Sequence, residues 1–559
     1  MKATKKILFI TLISSFFTSC DFSFTSSSSK NTSSSLKETT SPSFNENTSS
    51  FIDTTSSSSS NSSINKLIQI TWLQEPVISS YYGEELTFSS YGSINALYSN
   101  NNIEKVNLTK DNLKTNRADI YSLENQVIYA YYKDLSLKFE FKLTKQNATS
   151  SIDFTKKMGV GWNLGNSFSS FLDGFDYKNN TGIVTELGFD INNIEMFCEV
   201  RDQPQKFRGK ITKNTIKSVY DKGFRSIRIP ISWSNHMENN IINKQWINRI
   251  QEVVDYIYKD YNDLYVIITL MDGLRGYDLS NANYTKTKKL VHNVWTQVAD
   301  TFKNYDERLI FENLNEPMYN NQIKWEMNPT DSKYSIYYKE ANKNLMDYNQ
   351  EFVDVVRSSN SENNKNRYLT INTYGNIPEY AYDTKINAIS KFEFPKDSAN
   401  DKLIFNGHAY YPNYFCYHNA DNGYYKDTWN NKDDTQTIDQ LFTNLYEKYI
   451  KNGIGVIISE WGSIDREIEG RDKCREDHAY YFMENATKKD ITCMVWDNGA
   501  MSGNEHSEAF GFLNKHKASG IYNNMKSLSY VKYENEILWY HENILKQIFD
   551  GYNKQKSSN

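Results

Sequence analysis

Leu309-Ile310-Phe311-Glu312-Asn313-Leu314-Asn315-Glu316-Pro317 and Gly455-Val456-Ile457-Ile458-Ser459-Glu460-Trp461-Gly462 decide how this chain is read. Each is a short apolar run that ends in a carboxylate. Runs of this length read as strands buried on both faces, as in a parallel sheet. Six more occur in the same part of the sequence: Gly159–Leu164, Ser226–Pro230, Tyr265–Leu270, Tyr368–Thr373, Leu403–Tyr410 and Cys493–Trp496. Helix-period stretches separate them, among them Leu290–Phe302 and Asn248–Asp260, with Ile250, Val253, Val254 and Ile257 on one stripe of the latter. Eight strands alternating with helices predict an α/β fold, a (β/α)₈ TIM barrel over residues 151–552 with its chemistry at the C-terminal strand ends.

Upstream the pattern changes. Residues 67–146 carry runs of period two, Ile68–Thr71, Ile94–Tyr98, Val127–Tyr132 and Leu135–Phe141, which predict a small all-β sandwich. With Pro76, Tyr82, Gly83, Glu84 and Leu86 around its first turn, this stretch resembles the Ig-like repeats of bacterial surface proteins. A passive spacer is the expected role, because no cluster of exposed Trp suggests a sugar-binding module. Residues 21–66 are dominated by Ser, Thr and Asn and read as a flexible tether, too poor in apolar groups to offset the entropy of ordering.

The first twenty residues read as a secretory signal: Lys2, Lys5 and Lys6 precede an apolar run, Ile7–Phe17, too short to span a bilayer stably. The run ends in Phe17-Thr18-Ser19-Cys20, which resembles the bacterial lipobox with Phe17 in place of the usual Leu. The resemblance implies acylation of Cys20 and a chain anchored to the outer face of the cell membrane. An ordinary signal peptide with a coincidental cysteine is the alternative.

The 559 residues carry a formal charge of −5, with no basic field to track a phosphate backbone, so nucleic acid is not expected as a partner. Five cysteines without paired metal-ligand spacing point to neither a disulfide scaffold nor a zinc site. The 41 Tyr, 30 Phe and 10 Trp suit the aromatic platforms of sugar clefts, although coding bias also enriches Tyr.

Glu316 and Glu460, each at a strand terminus, would both open into the barrel mouth. Cleaving a glycosidic bond through an oxocarbenium-like transition state takes two carboxyl groups, one to protonate the leaving oxygen and one to attack the anomeric carbon. Asn-Glu-Pro alone serves equally well as a strand stop; the second strand-terminal glutamate is what favours chemistry. The carboxylates supply both acid and nucleophile, so no cofactor or metal is expected.

Residues 151–551 resemble glycoside hydrolase family 5, the cellulase A family, among its clostridial-type endoglucanases. The resemblance rests on Gly161-Trp162-Asn163-Leu164-Gly165-Asn166, Gly223-Phe224-Arg225-Ser226-Ile227-Arg228-Ile229-Pro230, Asn315-Glu316-Pro317, His408-Ala409-Tyr410, Glu460 and Trp496. It implies Glu316 as general acid/base, with a pKa raised by the neighbouring carboxylate, and Glu460 as nucleophile. Arg228 would hold Glu460, Asn315 would meet the sugar 2-hydroxyl, Tyr410 would donate to the nucleophile, His408 would position the acid/base and Trp496 would form the sugar platform. Trp162, Trp233, Trp325 and Trp461 are expected in the core or at the rim. The implied substrate is a β-1,4-linked glucan, with xyloglucan, mixed-linkage glucan and mannan as variants, and the chain is expected to be a monomer.

Two stretches depart from the family pattern. Where a pair of histidines is usual after the third strand, this chain has Thr269-Leu270-Met271-Asp272-Gly273, so Met271 or Asp272 stands where an imidazole would contact substrate or catalytic groups. His236 and His292 are possible substitutes. Arg201-Asp202-Gln203-Pro204 replaces a Trp-Gly-Asn-Pro segment, and residues 171–200 read as an enlarged first loop. The second expectation is therefore a catalytically impaired barrel that captures glycan without cutting it.

Overall fold

The computed structural model describes residues 65–556 apart from 81–84, 116–117, 121, 123, 144–149, 170–210, 273–275, 320–327, 421–423, 431, 505 and 521–536. Cys20, the tether, the enlarged first loop, Arg201–Pro204, Trp325 and the Tyr82-Gly83-Glu84 turn lie outside the described residues.

Eight parallel strands close a barrel: β1 (Gly161–Asn163), β2 (Ser226–Ile231), β3 (Tyr265–Leu270), β4 (Leu309–Glu312), β5 (Leu369–Asn372), β6 (Leu403–His408), β7 (Val456–Trp461) and β8 (Thr492–Val495). All eight expected strand runs are present; with the fourth and seventh expected over Leu309–Leu314 and Gly455–Glu460, their ends are shifted by up to two residues. Each strand runs beside its sequence neighbour, and β8 pairs with β1 to complete the ring. The helices pack outside. Lys244–Asp260 starts at Asn243, whose side chain accepts from the amides of Gln245 and Trp246, and buries Ile250, Val253, Val254 and Ile257 as its stripe requires. Lys213–Lys222 stops at Gly223, whose φ of +115° only glycine adopts readily, and the chain turns there into β2.

Successive side chains of a strand face opposite ways. On β4, Leu309 and Phe311 join the core beneath the helices, whereas Ile310 faces the barrel interior with Ile267, Ile404, Ile457 and Met494. The helix Ser151–Lys157 closes the bottom of this layer with Phe154, whose ring stacks on Tyr368 at 3.7 Å, and with the adjoining Met158. Gly161 is needed where it stands: a Cβ there would come within 2.4 Å of Met494 Cγ.

Residues 65–143 form small antiparallel sheets. One joins Leu67–Gln74, Ser93–Tyr98 and Ile103–Asn107; another joins Leu113–Lys114, Gln126–Tyr132 and Leu135–Phe141. Ile70, Ile94, Ala96, Leu108, Leu113 and Ala130 make one buried cluster, and Ile128, Phe139, Phe141 and Leu143 a second.

Candidate active site

One residue pair above the apolar layer the barrel interior becomes polar. Arg228, on β2, is fully buried and every guanidinium nitrogen is engaged. Nε and Nη2 donate to Glu312 at 2.8 and 2.6 Å, Nη2 also to Asn315 Oδ1 at 2.6 Å, and Nη1 to Glu460 Oε1 at 2.6 Å and Asn163 Oδ1 at 3.1 Å. A planar fork of five donors suits this arrangement, and a lysine could not reproduce it. Burial works against the Arg228 charge, but the attractions of Glu312 and Glu460 outweigh it and hold Arg228 above its already high pKa.

Glu460 faces this cluster because β7 is irregular near its end. The pairing register with β8 shifts between Ile458 and Trp461, and that with β6 shifts between Gly407 and His408. Such irregularities re-aim side chains at barrel rims. Glu460 Oε2 accepts from the Tyr410 hydroxyl at 2.9 Å. Burial raises its pKa and the nearby Glu316 adds to the rise, while Arg228 and the Tyr410 hydrogen bond act in the opposite sense and favour the anion. Burial and the adjacent carboxylates push the Tyr410 hydroxyl well above its ordinary range, so it stays a donor.

Glu316 projects from the segment after β4 with a φ of +46°, a conformation disfavoured for a side chain with a Cβ. It is fixed from both sides: its amide donates to Asn376 Oδ1 at 2.8 Å, and the amide of Gly375 donates to the carbonyl of Pro317 at 2.8 Å. Asn376 is itself oriented by Asn372 Nδ2 at 2.8 Å. His408 Nδ1 lies 2.8 Å from Glu316 Oε1 and 3.5 Å from Glu460 Oε2. Burial lowers the His408 pKa to about 4, so the ring is neutral at physiological pH. Side-chain donor atoms of Glu316, His408 and Glu460 all lie within 4.8 Å of one another. That spacing could also serve a cation, but Arg228 already occupies Glu460 and supplies the positive charge.

The Glu316 carboxyl is pushed up to about 8, first by burial and then by the charges of Glu508 and Glu312, against the pull of Arg228. The sequence reading assigned this rise to the neighbouring catalytic carboxylate; burial is the larger cause. A quarter of the Glu316 side chain remains exposed, which leaves it an open side toward the cleft.

The residues after β3 divide. Met271, like Tyr410 and Tyr417, packs against the cluster of Ile464, Trp496 and Phe510 in the apolar wall of the site. Asp272 is buried and turned away: its Oδ1 accepts from Ser232 Oγ at 2.9 Å and from the amides of Trp233 and Ser234 at 2.7 and 3.0 Å. It pins the segment after β2 and makes no contact with either glutamate, so the expectation that it replaces an imidazole is corrected for Asp272. Neither proposed histidine substitutes. His292 is on an outer helix, bonded to Glu351 at 2.7 Å, and His236 stacks on Trp246 at 3.7 Å.

Trp496 is 8% exposed and forms a cluster with Ile464 and Phe510. Trp162, Trp233 and Trp461 are core residues; Trp162 Nε1 donates to Asp497 at 2.9 Å and Trp461 stacks on Phe482 at 4.3 Å. The structure thus brings Arg228, Asn315, Glu316, His408, Tyr410 and Glu460 into one network. Sequence reasoning missed Glu312 and Asn163 as its members. A charged residue facing inward two places beyond Ile310 was the available signal for Glu312.

The family model for cellulase, glycosyl hydrolase family 5, matches residues 183–502. The chain belongs to glycosyl hydrolase family 5. Among the curated relatives, Endoglucanase 1 of Ruminococcus albus is 34% identical over 373 residues, 66% of this chain and 77% of that protein. Endoglucanase A of Clostridium longisporum is 29% identical over 388 residues, 69% of this chain and 66% of its own length, so the chain spans about two thirds of that relative. Among solved structures, a family 5 lichenase from a Caldicellulosiruptor species in complex with cellotetraose aligns with a TM-score of 0.59 at 30% identity, over 74% of this chain and 99% of the other. The broad-specificity endoglucanase of Clostridium longisporum gives 0.57 at 26% identity, over 73% and 99%. Family 5 membership makes the chain a glycoside hydrolase.

Proposed function

We propose that this family 5 hydrolase cleaves β-1,4-linked glucan chains internally, with retention, by double displacement. The observation that carries the reading is the approach of Glu316 and Glu460, whose donor atoms lie within 4.8 Å. Retaining enzymes hold their two carboxyl groups about 5–5.5 Å apart, whereas inverting enzymes leave room for a water between them. The similar proteins named endoglucanase and lichenase support a β-glucan as substrate; mixed-linkage glucan, xyloglucan and mannan are the variants to compare.

In the first step protonated Glu316 gives its proton to the glycosidic oxygen while a Glu460 oxygen attacks the anomeric carbon. The bond to the leaving chain breaks and a glycosyl ester forms on Glu460. In the second step Glu316, now a carboxylate, takes a proton from water, whose oxygen attacks the same carbon and releases Glu460. A carboxyl with a pKa near 8 is protonated at neutral pH and suits the acid. Arg228 and Tyr410 stabilise the Glu460 anion as nucleophile and leaving group. Asn315, whose Oδ1 is held by Arg228, presents its amide NH₂ toward the sugar 2-hydroxyl, and neutral His408 bridges the two carboxyls. Trp496 and Met271 line the apolar side of the bound ring.

Reducing-sugar release from carboxymethylcellulose, mixed-linkage glucan, xyloglucan, mannan and xylan tests the reading. Glu460→Gln is expected to lose at least about a thousandfold in kcat. Release that persists in the variant would remove Glu460 from the chemistry.

We further propose that acylation of Cys20 anchors the chain to the outer membrane face, with residues 21–66 as tether and the Ig-like region as spacer. The charged start, the short apolar run and the lipobox resemblance support this. Cys20→Ser is expected to move the protein from the membrane fraction to the medium; unchanged membrane retention would contradict the anchor.

A further inference from the structure

We propose that the long segment after β6 carries a second carbohydrate-binding groove, outside the catalytic cleft, where the exposed ring of Tyr424 and the half-buried ring of Tyr414 hold another stretch of the same neutral glucan. The class of ligand rests on the hydrolase reading above.

A cavity of about 450 Å³ opens between this segment and the start of the helix Gln436–Lys448, lined chiefly by Tyr411, Asn413, Tyr414, His418, Tyr424 and Thr437. Tyr424 is 71% exposed, and its ring lies 5.8 Å from that of Tyr414. An exposed ring set beside a second, half-buried one offers a ligand an apolar face with a polar edge. Among the described residues the lining carries no carboxylate, lysine or arginine, which suits a neutral ligand. It combines apolar ring faces with a polar rim, as a pyranose combines apolar C–H faces with hydroxyls around its edge. His418 Nδ1 donates to the Tyr424 carbonyl at 3.1 Å, which leaves Nε2 as the acceptor for a sugar hydroxyl.

The groove is preorganised. Two buried arginines tie its backbone down: Arg466 donates to the carbonyls of His418 and Lys426, the latter at 3.1 Å, and Arg471 to those of Phe415 at 2.8 Å and Asp427 at 3.0 Å. The Tyr414 hydroxyl donates to Asp434 at 2.8 Å, and Lys426 Nζ donates to the same carboxylate at 2.6 Å. Rings fixed in advance lose little freedom when a ligand binds.

The groove is continuous in sequence with the active site but faces away from it. Tyr410 places its hydroxyl on Glu460, while Tyr411 sends its own to Glu379 Oε2 at 2.6 Å. A polymer can therefore be held on the flank while another part of it occupies the cleft. A short substrate cannot use both.

The test compares the full chain with Tyr424→Ala on mixed-linkage β-glucan and on an aryl cellobioside. We expect kcat/KM on the polymer to fall about threefold to tenfold, through KM, the scale of one aromatic contact. The rate on the aryl cellobioside should be unchanged. Equal rates for both proteins on the polymer, or an equal loss on both substrates, would overturn the groove. If the parent chain hydrolyses neither substrate, the hydrolase reading fails separately. Native electrophoresis through gels containing the glucan then decides: retardation of the parent that weakens in Tyr424→Ala supports the groove, and identical migration refutes it.

Discussion

The lower and upper layers of the barrel interior are built from the same strands and do opposite things. Below, Ile267, Ile310, Ile404, Ile457 and Met494 meet Phe154, Met158 and Tyr368 in an apolar plug. Two residues further along β4, Ile310 gives way to Glu312, and the interior becomes a network of Arg228, Glu312, Asn163, Asn315 and Glu460. The plug gains stability from burial and asks for no partners. The network places charge out of water, a cost met only because each charged group is paired and hydrogen-bonded. A rigid apolar floor under a polar layer knit together by Arg228 is what keeps two carboxyls within a few ångströms of each other.

The comparison predicts opposite outcomes for substitutions two residues apart in depth. Arg228→Lys keeps the charge and loses the fork, so Glu460 and Asn315 drift. Turnover should fall about a hundredfold, the scale on which small misplacement acts, with lowered thermal stability. Turnover near that of the parent would mean that the fork is dispensable. Ile310→Ala should reverse the pattern, with about 2–5 kcal/mol lost in denaturant unfolding and turnover per folded molecule unchanged. Lost turnover at full stability would show that the floor is part of the chemistry.

The third effect concerns pH. Glu316 has a folded-state pKa of about 8, above the value of about 4.3 expected for an unfolded glutamate. Between these values the folded chain holds a proton that the unfolded chain releases, so this group's contribution to stability falls as pH rises through the window, and the loss is complete above about 8. Glu316→Gln should therefore gain stability relative to the parent at pH 9 and match it near pH 4. In the parent, kcat/KM should decline on the alkaline side as the acid deprotonates, with a midpoint near 8. A difference in stability between the two proteins that does not change with pH would remove burial as the source of the shift.

Much of this was legible in sequence because barrel strands are continuous apolar runs, and a carboxylate at the end of one stands out. Glu316 and Glu460 were found that way, and the positions of Arg228, Asn315, His408 and Tyr410 followed from the family resemblance. What escaped depends on pairs far apart in the chain. Nothing in Gly161–Asn166 says that Asn163 reaches Arg228, and Glu312 looked like part of a strand rather than the partner of a guanidinium 84 residues away. Met271 and Asp272 were indistinguishable as replacements for an imidazole; only the fold shows Met271 in the apolar wall and Asp272 bonded to Ser232–Ser234. The cause of the Glu316 shift was misassigned for the same reason, since burial is a property of the folded cleft and not of a motif.

The central claim is that Glu316 and Glu460 act as the two partners of a double displacement. Proton NMR of the first products formed from mixed-linkage β-glucan or a cello-oligosaccharide tests it most directly. The account predicts that the β-anomer appears first and that the α-anomer grows in only by mutarotation. Initial release of the α-anomer would mean direct attack by water, and would contradict the assignment of Glu460 as nucleophile.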